Sequence, residues 1–146
     1  GALESAAGYN ACMRWTAFVV CPFTGGMTGL YTVVQDDWAD WSVGDVVKVT
    51  DGPGANQINL SEVWPNPAYG DKVDDLIINV DPATGVAKLA TNNVIFADYG
   101  QKTSAYIPSN GTNGYVFSCT GYIGLKIGLK YGSSDYGANT LTLQRK

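Results

Sequence analysis

The chain of 146 residues contains no histidine, and charged residues make up only 15% of it. A charge-relay triad uses His as its base because the imidazole pKa lies near neutrality. No GxSxG or SxxK motif surrounds any serine, so the usual signatures of a nucleophilic hydrolase are missing. The three cysteines fit no zinc spacing, and Cys/His metal sites need the histidines that are absent. The sequence therefore predicts a protein that is not an enzyme and that holds neither a cofactor nor a metal.

Basic residues are also scarce. Nine Lys and Arg stand against 13 Asp and Glu, which gives a formal net charge of −4. No run of Lys or Arg offers a track for phosphates, so nucleic acid is not expected as a partner. No apolar run approaches the roughly 18 residues needed to cross a bilayer. We expect a soluble chain, and its start at Gly1 without Met is consistent with a mature or truncated product.

Glycine and aromatic residues, in contrast, are abundant. The chain has 18 Gly and 12% aromatic residues, which favours short strands and tight turns over helices. A length of 146 residues fits one core rather than two. We therefore predict a single domain over residues 1–146, with residues 1–13 as a loose N-terminal lead-in.

Apolar patterning predicts a succession of short strands. A buried strand at 14–21 is ended by Pro22, which lacks a backbone donor. Asp81 to Gly85, with Pro82 at its second position, has the residues of a tight turn between two strands. The predicted strands before the final third of the chain are 14–21, 30–34, 43–50 (or 45–50), 57–64, 74–80, 86–91 and 94–99.

The clearest periodicity lies in the final third. From Tyr115 to Tyr131 every odd position except Gly121 is Cys, Tyr, Phe, Ile or Leu, which is period-two alternation over far more than the usual five or six residues of a strand. We predict either one long strand bent near Gly121 or two strands in line. A turn at 132–135 then returns the chain beside it through Leu141 and Leu143.

About nine or ten strands joined by short turns predict an all-β fold. Sequential hairpins form an antiparallel meander, and such a meander either closes into a barrel or folds into two packed sheets. We favour a calycin-like barrel, with a two-sheet β-sandwich as the alternative.

The connection between the strands at 30–34 and 43–50 is unusually acidic and aromatic. It contains Asp36, Asp37, Trp38, Asp40 and Trp41. Aromatic rings in loops can present flat faces to a sugar or cover an apolar pocket. The candidate ligand-binding residues are Trp38, Trp41, Asp36, Asp37, Asp40, Trp64 and Tyr69, from a wider group of loop aromatics that includes Tyr99, Tyr106 and Tyr136.

Other interpretations of the acidic residues are weaker. A glycosidase needs two carboxyls facing each other across a cleft, about 5–10 Å apart, and three acids in one loop do not show this. A Ca²⁺ loop has DxDxDG spacing, which neither this loop nor the second cluster, Asp71, Asp74 and Asp75, possesses. A simpler alternative to both is that the Asp side chains bond to their own backbone and cap turns. The tryptophans of the loop would then fold back over the core instead of contacting a ligand.

The three cysteines allow at most one internal disulfide. Cys21 and Cys119 are the candidate pair, and three buried thiols acting as small apolar side chains are the alternative. Cys12 would then be a free thiol or an intermolecular link.

Several segments, in order, resemble small extracellular β domains that end surface lipoproteins of Bacteroidetes. They are CPF at 21–23 followed by GLYTV, DWADW at 37–41 followed by VGD, VDPATGVA at 80–87, and CTG at 119–121 with Tyr136-Gly137 before a terminal TLTL strand. The resemblance covers most of residues 21–146. This family is largely uncharacterised and transfers no catalytic residues.

The resemblance implies an exported or cell-surface protein, lipid-anchored in a full-length precursor or tethered through an upstream domain. It also implies that Cys21 and Cys119 are paired, since an oxidising exterior permits disulfides. We therefore expect a non-catalytic domain with a ligand-binding or accessory role, associated with a glycan. The alternatives are a structural or adhesive spacer, and a barrel that binds a lipid or another small apolar ligand.

Overall fold

A computed structural model describes residues 22–109 and 114–146. The predicted strand at 14–21, the lead-in at 1–13, Cys12 and Cys21 lie outside these residues. The described part contains eleven strands: β1 (Gly29–Asp36), β2 (Val46–Asp51), β3 (Gln57–Asn59), β4 (Asp71–Lys72), β5 (Ile77–Val80), β6 (Val86–Leu89), β7 (Val94–Asp98), β8 (Lys102–Tyr106), β9 (Gly114–Phe117), β10 (Tyr122–Tyr131) and β11 (Ser134–Arg145).

The strands form one antiparallel sheet whose pairings make a partial ring. The order β11-β1-β2-β3-β5-β6-β9-β10 returns to its start because β10 also pairs with β11. Strands β8, β7 and β4 extend in that order from β10. The prediction of an all-β, antiparallel fold is confirmed, and both a partly closed barrel and a two-sheet sandwich are compatible with these pairings.

The two longest strands organise the sheet. Along its whole length β10 pairs with β11, from Tyr122 opposite Gln144 to Tyr131 opposite Ser134. Its other edge is divided, with β9 beside Tyr122 to Gly124 and β8 beside Gly128 to Tyr131. Strand β1 pairs with β11 only between Leu141 and Arg145. The turn-proximal halves of β10 and β11 therefore extend beyond β1 and leave room for a loop against them.

The prediction of one long strand, or two strands in line, over 115–131 is wrong. Residues 118–121 form a turn, after which β10 pairs antiparallel with β9 and Ile123 lies opposite Val116. Val116 is buried whereas Tyr115 is 42% exposed, so β9 points its even residues inward and β10 its odd ones. The apolar alternation in the sequence runs on unbroken across the turn because the odd residues of β9, although they lie on the outer face, are aromatic.

The predicted strand at 57–64 is too long. Only Gln57–Asn59 is a strand. After it the chain turns, and the amides of Val63 and Trp64 both donate to the Leu60 carbonyl at 2.8 and 3.1 Å. Leu60 is buried as its apolar character requires, but Glu62 is exposed. Strands β4 and β8 were not predicted, because one is two residues long and the other carries the weakly apolar sequence KTSAY.

The interior is one cluster of buried apolar side chains contributed by strands around the ring. Trp64, Tyr31 and Phe96 are the largest of its fully buried members. At about 25 cal/mol per Å² of apolar surface removed from water, burial of such side chains is the main stabilising contribution. In the part of the chain that the structure describes, no helix could span a membrane.

Candidate functional site

The acidic connection between β1 and β2 is shaped by Asp36. Its Oδ1 accepts a hydrogen bond from the Trp38 amide at 2.9 Å, and its Oδ2 accepts one from the Trp41 amide at 3.1 Å. Burial raises the pKa of Asp36, and these two hydrogen bonds oppose the rise. A short acid that bonds to the backbone following it fixes a turn. Asp36 therefore stabilises the conformation of the loop.

The two loop tryptophans fold back towards the core. The indole N–H of Trp41 donates to the Val63 carbonyl at 2.8 Å. Trp38 packs on Trp64, with ring centroids 4.3 Å apart and planes inclined by 49°. Trp64 itself is only 1% exposed. Trp41 and Trp64 thus anchor the loop, while Trp38 is half-buried and also lines a cleft beside it.

Asp37 ties the loop to the extended half of β11. Its amide donates to the Thr140 carbonyl at 3.1 Å, and its Oδ2 accepts from the Thr140 amide at 3.0 Å. Its Oδ1 accepts from Gln35 Nε2 at 2.9 Å. Hydrogen bonding with Gln35 and then with Thr140 lowers the pKa of Asp37, so this carboxylate is ionised at neutral pH.

An open cleft of about 600 Å³ lies between this loop and the β7–β8, β10 and β11 segments. Half of the residues that line it are aromatic, and most of the others are polar. The lining residues are Asp37, Trp38, Asp40, Tyr69, Tyr99, Thr103, Leu129, Tyr131, Tyr136 and Asn139. Binding sites for small ligands commonly combine apolar walls with a few placed polar groups in this way.

Asp40 and Tyr99 are two half-buried polar residues in the lining of the cleft. Burial, and then the neighbouring Asp36 carboxylate, raise the pKa of Asp40 to about 6, while an interaction with the Tyr99 hydroxyl acts in the opposite direction. Burial, followed by the charge of Asp40, raises the pKa of Tyr99. The Asn66 amide donates to the Tyr99 hydroxyl at 3.2 Å, and Asn66 Nδ2 donates to the Asp40 carbonyl at 2.7 Å.

Two tyrosines remain open to solvent in the cleft. Tyr69 is 61% exposed and Tyr136 is 58% exposed. Tyr131 is held differently, because its hydroxyl donates to the Tyr99 carbonyl at 2.7 Å. The cleft therefore combines fixed aromatic walls with exposed rings that can lie against a ligand.

Four of the seven candidate residues line the cleft: Asp37, Trp38, Asp40 and Tyr69. The other three, Asp36, Trp41 and Trp64, shape and anchor the loop. Tyr99 and Tyr136 were among the wider group of loop aromatics. Sequence reasoning missed Thr103, Leu129, Tyr131 and Asn139, which sit on β8, β10 and β11. The segments of β10 and β11 were predicted simply as strands, and that of β8 was not predicted as a strand at all. Only the tertiary fold brings these residues beside the loop.

The remaining sequence candidates concern metals and cysteines. Within residues 22–109 and 114–146 no three His, Cys, Asp or Glu side chains are grouped to hold a metal ion. Cys119 is disulfide-bonded. Cys21, its predicted partner, lies outside the described residues.

The fold and the cleft define a class: an antiparallel all-β protein with an aromatic and acidic surface cleft. The chain matches no protein-family model, and neither the curated proteins nor the solved structures contain a significant match to it. The function must therefore be argued from the site.

Proposed function

We propose that this chain is a non-catalytic carbohydrate-binding domain whose ligand lies in the cleft between the β1–β2 loop and β11. The observation that carries the proposal is the pair of exposed tyrosines, Tyr69 and Tyr136, on a cleft that also has Trp38 in its wall. Tyrosine and tryptophan offer an apolar face for a sugar ring and a polar edge for its hydroxyls.

The polar lining supports the same ligand class. Asn139 and Asp40 supply amide and carboxylate groups, and sugar hydroxyls both donate and accept hydrogen bonds to such groups. A purely apolar ligand would remove these groups from water without offering them a further hydrogen bond, which costs free energy on binding. The polar part of the cleft is therefore better suited to a sugar than to a lipid.

The packed interior favours a surface site over an enclosed one. The described strands direct their apolar side chains into one buried cluster. A barrel that carries a lipid would need an internal cavity instead. This supports the cleft as the binding site.

We also propose that the protein is exported or attached to the cell surface, tethered by a lipid anchor or an upstream domain outside this sequence. The disulfide at Cys119 supports this, since disulfides persist in oxidising compartments. Protease treatment of intact source cells should release peptides of this chain if it is displayed outside. Recovery of the protein only after cell lysis would contradict surface display.

Isothermal titration calorimetry with a panel of soluble oligosaccharides tests the binding function. We expect saturable binding of one glycan class, and we expect Tyr69→Ala and Tyr136→Ala each to weaken it by about fivefold or more, since a stacked aromatic ring contributes roughly 1–3 kcal/mol. Both side chains are exposed, so the variants should fold normally.

Tyr115→Ala is the matched control. Tyr115 is also exposed, but it lies on β9 and is not among the residues that line the cleft. Its replacement should leave affinity unchanged. Absence of binding to every glycan would leave a structural or adhesive spacer as the better account, whereas equal loss in Tyr115→Ala would place the site elsewhere.

A further inference from the structure

The charged residues that line the cleft are all acidic. Asp37 and Asp40 line it, no Lys or Arg does so among the described residues, and the chain contains no His. Lys126, on the exposed face of β10, acts on Asp37 from outside the lining. The charged group that acts on Asp40 most strongly is another acid, Asp36. The cleft thus presents negative potential, which repels uronic, sialic and sulfated sugars.

The aromatic lining acts in the same direction. Trp38, Tyr69, Tyr99, Tyr131 and Tyr136 bring five π-systems to one cleft. The face of such a ring attracts a cation, and clusters of rings form the binding sites of ammonium groups. A neutral sugar stacks on the same rings but brings no positive charge to the Asp40 carboxylate.

Of the two carboxyls, Asp40 is the one available to a ligand. Asp37 has both oxygens engaged, one by Gln35 Nε2 and one by the Thr140 amide. Asp40 is held through its main chain instead, because Asn66 Nδ2 donates to its carbonyl at 2.7 Å. Its carboxyl interacts with the Tyr99 hydroxyl, and an ionised carboxylate has about four lone-pair sites, so it retains capacity for a further donor.

From this charge and geometry we infer that the cleft takes a glycan with free, protonated amino groups, such as a glucosamine oligomer, and that the ammonium lies against Asp40. The inference rests on the proposed carbohydrate-binding function and narrows it to one class of sugar. A charge-assisted hydrogen bond to Asp40 and cation–π contact with the surrounding rings are available to the amine and are lost when it is acetylated.

The experiment compares four oligosaccharides of equal length by calorimetry at about pH 7, where Asp40, whose pKa is about 6, is mostly ionised. They are a glucosamine oligomer, its N-acetylated counterpart, a glucose oligomer and a galacturonate oligomer. We expect the glucosamine oligomer to bind at least about tenfold more tightly than the other three, since one charge-assisted hydrogen bond contributes roughly 1.5–3 kcal/mol. Added salt should reduce this preference.

Asp40→Asn should abolish the preference while the variant still unfolds cooperatively. The matched control is Glu62→Gln, which removes one negative charge from an exposed residue that ion-pairs with Lys48 and does not line the cleft. It should keep the preference. The amino-sugar inference alone is overturned if neutral or N-acetylated oligomers bind as tightly, or if Asp40→Asn retains the preference. Binding of no oligosaccharide at all overturns the carbohydrate-binding proposal together with it.

Discussion

Asp37 and Thr140 exchange two hydrogen bonds, one from the Asp37 amide to the Thr140 carbonyl and one from the Thr140 amide to Asp37 Oδ2. They join the end of β1 to β11 at the point where the ladder between these strands has run out. The side chain of Asp37 takes the place of the next main-chain acceptor. The wall of the cleft is therefore continuous with the sheet, although the residues that form it belong to a loop.

Asp37→Ala should loosen this connection, whereas Asp37→Asn should largely preserve it, because the amide oxygen can still accept a hydrogen bond from Thr140. Hydrogen exchange read by NMR is the measurement. The Thr140 amide should exchange faster in the alanine variant, and the amide of the buried Leu143 on the same strand should not change. Unaltered exchange at Thr140 would show that the side chain does not hold the loop.

The raised pKa of Asp40 should make stability fall as pH rises. Because its pKa in the folded chain is about 6, the folded state keeps a proton that an unfolded Asp has released by about pH 4. The free energy of unfolding should therefore decrease between about pH 4 and pH 6 from this group, and Asp36, whose pKa is also raised, acts in the same direction. Acids whose pKa is lowered in the folded chain, such as Asp75, also affect stability, but they do so at lower pH, where their contribution is lost as pH falls.

Asp40→Asn isolates this contribution. Denaturant unfolding of both proteins across that window should show the variant gaining stability relative to the parent as pH rises. NMR titration of the Asp40 carboxyl should give a midpoint near 6. A stability difference that is constant with pH, or a midpoint at the value of an exposed Asp, would contradict the burial of this group.

Removal of the Trp64 side chain should lower stability far more than removal of the Tyr136 side chain. Trp64 is 1% exposed and packs on Trp38 and Phe96, so Trp64→Ala should lower the free energy of unfolding by about 3–5 kcal/mol. Tyr136→Ala removes an exposed ring and should change it by no more than about 0.5 kcal/mol. Chemical denaturation measures both. Similar costs for the two substitutions would be inconsistent with the positions of these side chains.

Gly128 is needed because Tyr106 lies against it. A Cβ at Gly128 would meet the Tyr106 ring, so Gly128→Ala should destabilise the protein by about 1–3 kcal/mol through overcrowding. Gly29→Ala is the control, since Gly29 also lies in a strand but its nearest neighbour in that direction is Arg145 Nε at 3.9 Å. If the clash is the cause, Gly128→Ala should cost less in a Tyr106→Ala background than alone.

The sequence predicted the elements whose signals are local. The turn at 81–85 and the strands on either side of it follow from Asp, Pro and Gly at defined positions and from alternation beside them, and the structure contains them as β5 and β6. Within the predicted strand at 57–64, Ile58 and Leu60 are fully buried. The strand at 57–64 failed because apolar content does not distinguish a strand from a buried turn.

Of the candidate site, the sequence predicted mainly the wall formed by the loop between β1 and β2. Asp36 to Trp41 stood out by composition, but composition did not separate Asp36, which bonds its own loop, from Asp40, which faces the cleft. Nor did it separate Trp64, a core residue, from Trp38. These distinctions depend on the segments that pack against the loop. In this protein they are the chain around Val63 and the extended half of β11.

By itself, the sequence determined the class of fold and the main features of one wall of the cleft, since glycine content, alternation and turn residues are properties of short segments. The tertiary structure decided that 115–131 reverses into a hairpin, that β10 pairs with β9, β8 and β11, and that Tyr131, Tyr136 and Asn139 line one cleft with Asp40. These outcomes depend on pairing between residues far apart in the chain. Alternation constrains which face of a strand is buried but not which strand it pairs with, so the cleft exists only once the ring of strands has formed.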